Sequence, residues 1–133
     1  MKSQRVTSPK LAEPAPGTWS NCRVHGNQFF VAGMTASDGK GGILGDGTMY
    51  GQAREIFTKI KTMVEAAGGT MNDVIRLDIY VTDITQREGV WKARKEFFTG
   101  DFPTSTLVQV AALATPQQHV EITATGFIGG AAG

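Results

Sequence analysis

Apolar residues recur along this chain with two different periods, and the changes of period mark its elements. Between Val74 and Thr82, Ile75, Leu77, Ile79 and Val81 alternate with Arg76, Asp78, Tyr80 and Thr82, which predicts a strand with one apolar face. Val120, Ile122 and Ala124 alternate in the same way with His119, Glu121, Thr123 and Thr125 in a strand from His119 to Phe127. A further strand is expected from Ser105 to Leu113, paired with the last one as a hairpin across a short connection containing Pro116. The period lengthens in the middle of the chain, where Ala53, Ile56, Phe57, Ile60, Met63, Val64 and Ala67 fall on one stripe of a helix from about Gly51. Gly68 closes that helix as a cap, and Glu55 and Lys59 are spaced to pair on its outer face.

A second helix is predicted from Thr85, which has Glu88 at capping-box spacing, through Phe98, with Val90, Trp91, Arg94, Phe97 and Phe98 on its inner side. Two short strand-like runs between Thr18 and Met34 flank His25, Gly26 and Asn27, and the Gly-Asn pair signals a hairpin turn. The order β-β-α-β-α-β-β predicts an α+β fold, one mixed sheet with two helices on one face. Residues 1–17, with Pro9, Pro14 and Pro16, read as an N-terminal arm lying on the surface or loose, 18–128 as the domain, and 129–133 as a frayed, flexible tail. Gly39, Gly41, Gly42, Gly45 and Gly47 form a surface turn without the Lys and Ser or Thr of a phosphate-binding loop.

Composition narrows the function classes. At 133 residues with 41% hydrophobic and 19% charged positions, one packed domain is expected. Thirteen Lys and Arg against twelve Asp and Glu give a net charge of +1 without a basic run, so nucleic acid is not an expected partner. Cys22 is the only cysteine, which excludes an internal disulfide and multi-cysteine metal sites. No stretch has the length of a membrane span and no apolar leader is visible at the N-terminus, so a cytoplasmic protein with no membrane partner is expected.

Taken together, FFVAGM, the helix QAREIFTKIKTMVEAAGG, the strand DVIRLDIYVTD, the segment FPTSTLVQVAAL and the ending VEITATGF resemble the RidA family, also called YjgF or reactive intermediate deaminase proteins. The resemblance spans roughly residues 18–128. It implies a chorismate-mutase-like fold assembled as a homotrimeric barrel, with small-molecule sites in clefts between subunits. It also implies hydrolysis of enamines and imines to ammonia and a keto acid, without a metal or organic cofactor. An arginine grips the substrate carboxylate in such proteins and a glutamate stands beside the attacking water. Glu121 matches the glutamate, but Ser105 stands where the arginine is usual, followed by Thr106 and Leu107. Trp19 replaces a common tyrosine, Ala32, Gly33 and Met34 replace a Ser-Gly-Gln run, and Trp91 replaces an asparagine.

The implied site is therefore Glu121 as the catalytic group, with Trp19, Ala32, Gly33, Met34, Trp91, Ser105, Thr106 and Leu107 as ligand contacts. A serine hydroxyl cannot reproduce the bidentate clamp of a guanidinium. The expected substrate accordingly shifts toward a non-carboxylate or aromatic compound, unless Arg23, Arg54 or Arg76 enters the cleft from a neighbouring subunit. Each residue also has a plainer reading: Glu121 as a solvated carboxylate, Trp19 and Trp91 as core, Cys22 as a packed side chain, His119 as an exposed strand end. Ser105 lacks a nucleophile-elbow context. A non-catalytic homotrimer that binds a metabolite is the alternative function, and the family's older labels of ribonuclease and translation inhibitor come third.

Overall fold

The computed structural model describes residues 1–131. Six strands form a single sheet in the order β1-β2-β3-β6-β4-β5: β1 (Gln4–Val6), β2 (Cys22–His25), β3 (Gln28–Met34), β4 (Val74–Val81), β5 (Thr104–Gln109) and β6 (Val120–Phe127). Helices α1 (Met49–Ala66) and α2 (Arg87–Lys95) complete the α+β architecture.

The hairpin of β2 and β3 turns on Gly26 and Asn27, with Gly26 at φ +63°, where glycine enters without steric cost. The N-terminal arm is not loose: Gln4, Arg5 and Val6 pair antiparallel with Val24, Arg23 and Cys22 and so extend the sheet by one strand. The tail is also held as far as it is described, since the Gly129 and Ala131 amides donate to Asp73; residues 132–133 lie outside the described chain.

The expected hairpin of the last two strands does not form. β5 pairs parallel with β4, with Leu77 opposite Ser105 and Ile79 opposite Leu107, while β6 lies between β3 and β4 and is antiparallel to both. The cause is α2, whose crossover from β4 returns the chain in the same direction and so makes β5 a parallel neighbour.

The core lies between α1, α2 and one sheet face, where Leu77, Ile79, Val81, Val120, Ile122 and Ala124 meet Ala53, Ile56, Phe57, Ile60, Met63 and Val64. Phe57 packs against Phe97 and Phe98 at 5.5 and 5.8 Å between ring centroids. The helices approach closely at Gly89, where a Cβ would come within 2.8 Å of the Tyr50 backbone nitrogen. Ile75 leaves the alternating pattern because the register shifts between Val74 and Arg76, so Val74 is buried in its place.

Two local expectations give way to longer-range contacts. Lys59 turns from Glu55 and donates to the carbonyl oxygens of Thr35 and Ser37 at 2.8 and 2.7 Å, tying α1 to the loop after β3. The capping box of Thr85 and Glu88 is absent. Asp83 accepts from the Thr85 amide instead and opens a 3-10 turn, Ile84–Gln86, that leads into α2.

Candidate functional site

The sequence VEITATGF sends alternate side chains to opposite faces of β6. Val120, Ile122 and Ala124 enter the core, while Glu121, Thr123 and Thr125 occupy the face that neither helix covers. Tyr80 pairs with Glu121, and Asp78 with Thr123, on the same open face. Across β6, the ladder with β3 is interrupted between Val31 and Met34, and the Ala32 amide donates to the Asn21 carbonyl at 2.9 Å.

That irregularity creates room for the carboxylate. A Cβ on Gly33 would overlap the Glu121 side chain, so the glutamate occupies space that only glycine leaves free. Burial alone raises the Glu121 pKa above the ordinary carboxylate value, and among the described residues it makes no hydrogen bond or ion pair that would draw it back. A carboxyl group in that condition changes protonation state closer to neutrality, as an acid–base catalyst must.

The other predicted residues divide by sheet face. Ser105 pairs with core-facing Leu77, and Leu107 with core-facing Ile79, which places both on the helix side of the edge strand β5. Thr106, opposite Asp78, shares the open face with Glu121. The Met34 side chain is buried in the core opposite Ile122, which leaves only its backbone for a ligand. Trp19 is not core: it is 60% exposed and lines an open groove with Arg23, His25, Phe30 and Ala32. Trp91 is 38% exposed and so departs from the inner side of α2, where Val90 and Ala93 are buried; the Arg87 guanidinium lies 5.4 Å from its ring centroid.

Ser105 does not stand alone. Arg94, one turn after Trp91 on α2, donates from Nη1 to Ser105 Oγ at 2.9 Å. None of the three arginines considered from sequence has this position: Arg54 pairs with Glu96 at 3.3 Å, Arg76 with Asp78 at 3.1 Å, and Arg23 donates to Ser3. The apolar pattern of α2 puts Arg94 on the inner side of the helix, where nothing local marks it as a binding residue. Reading residues 74–109 as a β-α-β crossover was the missing signal, because it lays α2 against the start of β5.

The remaining candidates are quieter. Burial pushes the Cys22 thiol up to about 11, so it packs as a small apolar side chain and holds no thiolate near neutrality. The His119 backbone amide donates to Gln52 Oε1 at 2.8 Å, which docks the start of β6 on α1. Among the described residues, no three His, Cys, Asp or Glu side chains converge as a metal site, and no helix is long and apolar enough to cross a membrane.

A family model described as endoribonuclease L-PSP matches residues 10–128. The chain is 29% identical over 113 residues to a 2-iminobutanoate/2-iminopropanoate deaminase of Dermatophagoides farinae, covering 85% of this chain and 88% of that protein. It is 33% identical over 101 residues to a RutC family protein of Pyrococcus horikoshii, covering 75% and 80% of the two. Among solved structures, RidA from an Antarctic Psychrobacter species superposes with a TM-score of 0.82 at 31% identity, covering 94% of this chain and 99% of that one.

Proposed function

The chain belongs to the RidA family, whose model bears the description endoribonuclease L-PSP, and from that premise we propose that it is a hydrolytic deaminase of small imines or enamines. The observation that carries this reading is Glu121, a carboxylate on the open sheet face with no partner among the described residues, its pKa raised by burial and the Gly33 position left clear beside it.

An imine is hydrolysed when water adds to its carbon and the resulting carbinolamine expels nitrogen. Glu121 as carboxylate takes a proton from the attacking water while the C–O bond forms, and passes it to the imine nitrogen to give the carbinolamine. As carboxylate again, it takes the carbinol hydroxyl proton as the carbonyl forms and gives it to the nitrogen as the C–N bond breaks, so ammonia leaves with both protons of the water. A raised pKa suits both halves, because the same group must accept and release a proton near neutrality. Trp19 and Trp91 supply flat surface for the organic part of the substrate.

The site is completed by a second copy of the chain. Glu121 and Thr106 lie on one sheet face and Ser105 and Leu107 on the other, so a single chain cannot bring both sets around one small molecule. The open face also carries Phe30 at 46% and Val108 at 41% exposure, apolar surface suited to burial between subunits. The homotrimer with ligand clefts between subunits answers both observations, and sedimentation equilibrium returning the mass of three chains is the expected result.

The test of the activity is ammonia release from freshly generated imines, acidic, neutral and aromatic, by the native chain and by Glu121→Gln. Turnover that disappears in the variant supports the deaminase. Replacement of the tyrosine and asparagine positions by exposed Trp19 and Trp91 favours a second reading, a metabolite-binding trimer, and tight binding without ammonia release would establish that instead. The ribonuclease label has no support from a net charge of +1, and RNA affinity independent of salt would remove it.

A further inference from the structure

We propose that Arg94 is the anion-binding residue of this site, reaching from α2 to Ser105 so that the favoured substrate is an imine or enamine bearing a carboxylate. This rests on the deaminase reading for the reaction, but the assignment of Arg94 stands on its own geometry. Arg94 is half-buried and among the described residues has no acidic partner, whereas Arg5, Arg54 and Arg76 each pair with a carboxylate. Its one hydrogen bond goes to a neutral hydroxyl, Ser105 Oγ, leaving Nε and Nη2 without a partner among the described residues. Burial without a counter-charge works against a cation, and a bound anion offsets that cost directly.

The pairing with Ser105 builds more than a single charge. Because Ser105 Oγ accepts from Arg94, its own O–H remains free to donate, so a carboxylate placed there meets a guanidinium and a hydroxyl together. Ser105 also fixes where the guanidinium points, as a long side chain on a helix otherwise samples many rotamers. The half-exposed indole of Trp91 stands three residues before Arg94, on the same side of α2, where it can offer a flat wall to the carbon skeleton. The departure from arginine at position 105 therefore does not remove the cation from the site. It moves the cation from the strand to the helix that covers it.

The test is equilibrium binding to the intact assembly, by calorimetry, of 2-oxobutanoate and of its neutral analogue 2-oxobutanamide, in the native chain, Arg94→Met, Arg94→Lys and Glu121→Gln. The native chain is expected to bind the acid about 10-fold to 100-fold more tightly than the amide, the range of a charge-assisted contact. Arg94→Met should remove that preference while leaving amide affinity within about 2-fold, and Arg94→Lys should restore part of it. Glu121→Gln should keep the preference. Equal affinities in the native chain, failure to bind either compound, or a preference that survives Arg94→Met would overturn the assignment. Native melting behaviour of Arg94→Met is the check that the fold is intact; if it fails to fold, Arg94→Lys together with Ser105→Ala decides, and an unchanged preference in both overturns the proposal. Binding of the acid through Arg94 without ammonia release from any imine would refute the deaminase and leave the Arg94 site standing. Ammonia release with a preference indifferent to Arg94 would do the reverse.

Discussion

Two acidic side chains in this fold meet opposite fates. Asp73 ends the 3-10 turn before β4 and is only 3% exposed, while Glu121 lies on the open face of β6 and is less buried. Burial raises the pKa of both. For Asp73 the backbone amides of Thr70, Ala131, Gly129 and Gly130 outweigh burial and hold the carboxyl below its ordinary value, whereas Glu121 has no such donors and stays raised. The supply of hydrogen-bond donors, more than depth, therefore decides whether a carboxylate becomes a fastener or remains available for chemistry. Asp73 joins the turn to the end of the chain through the Thr70 and Ala131 amides at 2.9 and 2.8 Å. Among the described residues, Glu121 joins nothing.

Substituting each carboxylate should separate these roles. Glu121→Gln removes proton transfer but retains size, and a loss of about 10²–10⁴-fold in kcat with native folding is expected, measured as ammonia release. A variant that kept native turnover would return Glu121 to the rank of a solvated strand residue. Asp73→Asn should instead cost about 2–4 kcal/mol of stability, because it replaces an acceptor of several charge-assisted bonds in a buried place. Its kcat per folded molecule should not change.

The contribution of Asp73 depends on pH with a definite sign. A carboxyl whose folded pKa is depressed stabilises above its unfolded pKa, and that contribution is lost as pH falls through the folded value. The gap between native and Asp73→Asn in urea midpoints should therefore be full at neutral pH and close progressively below about pH 4. A gap that widened in acid would mean the amides do not hold the charged form.

A glycine packed against each acidic residue, on the Asp73 backbone and on the Glu121 side chain, extends the comparison. At Gly126 a Cβ would overlap the Asp73 backbone carbonyl and the Phe29 ring, rigid neighbours in the core, so Gly126→Ala should cost about 1–3 kcal/mol or more. At Gly33 a Cβ would meet only the far end of the Glu121 side chain, which can swing away. Gly33→Ala is thus expected to lower kcat on the order of 10-fold with a small change in melting temperature, since a displaced catalytic group loses rate before stability. A large stability loss at Gly33 would show that the carboxylate is locked in place.

What the sequence disclosed follows the range over which each signal acts. The apolar stripe of α1, the alternation in β6 and the Gly26-Asn27 turn are local, and the structure contains all three. The partner of β5 is not local: TSTLVQ has no feature that distinguishes a hairpin with β6 from a parallel place beside β4. Helix spacing paired Lys59 with Glu55, but the loop after β3 offered two carbonyl oxygens that no spacing rule foresees. Glu121 was found through the resemblance, and nothing in its alternating strand marks it otherwise. Arg94 and Asp73 escaped for the same reason: both act across gaps in sequence, to Ser105 and to the chain end, that only the folded sheet closes.

The smallest expected effect tests the comparison most directly. Because burial raises the folded pKa of Glu121, its charged form is held at a cost in the native state, and that cost is present above the folded pKa. It fades as pH falls through that value and is absent below the unfolded one, about 4.3. Glu121→Gln has no charge to desolvate, so at about pH 8 it should be slightly more stable than the native chain, and at about pH 4 indistinguishable from it. Asp73→Asn should change in the opposite direction across the same interval, its deficit largest at the alkaline end. Urea midpoints for the two variants at both pH values provide the measurement. If Glu121→Gln proved less stable at the alkaline end, the carboxylate would have donors supplied by the neighbouring subunit, and the two acids would differ in where their partners come from rather than in whether they have any.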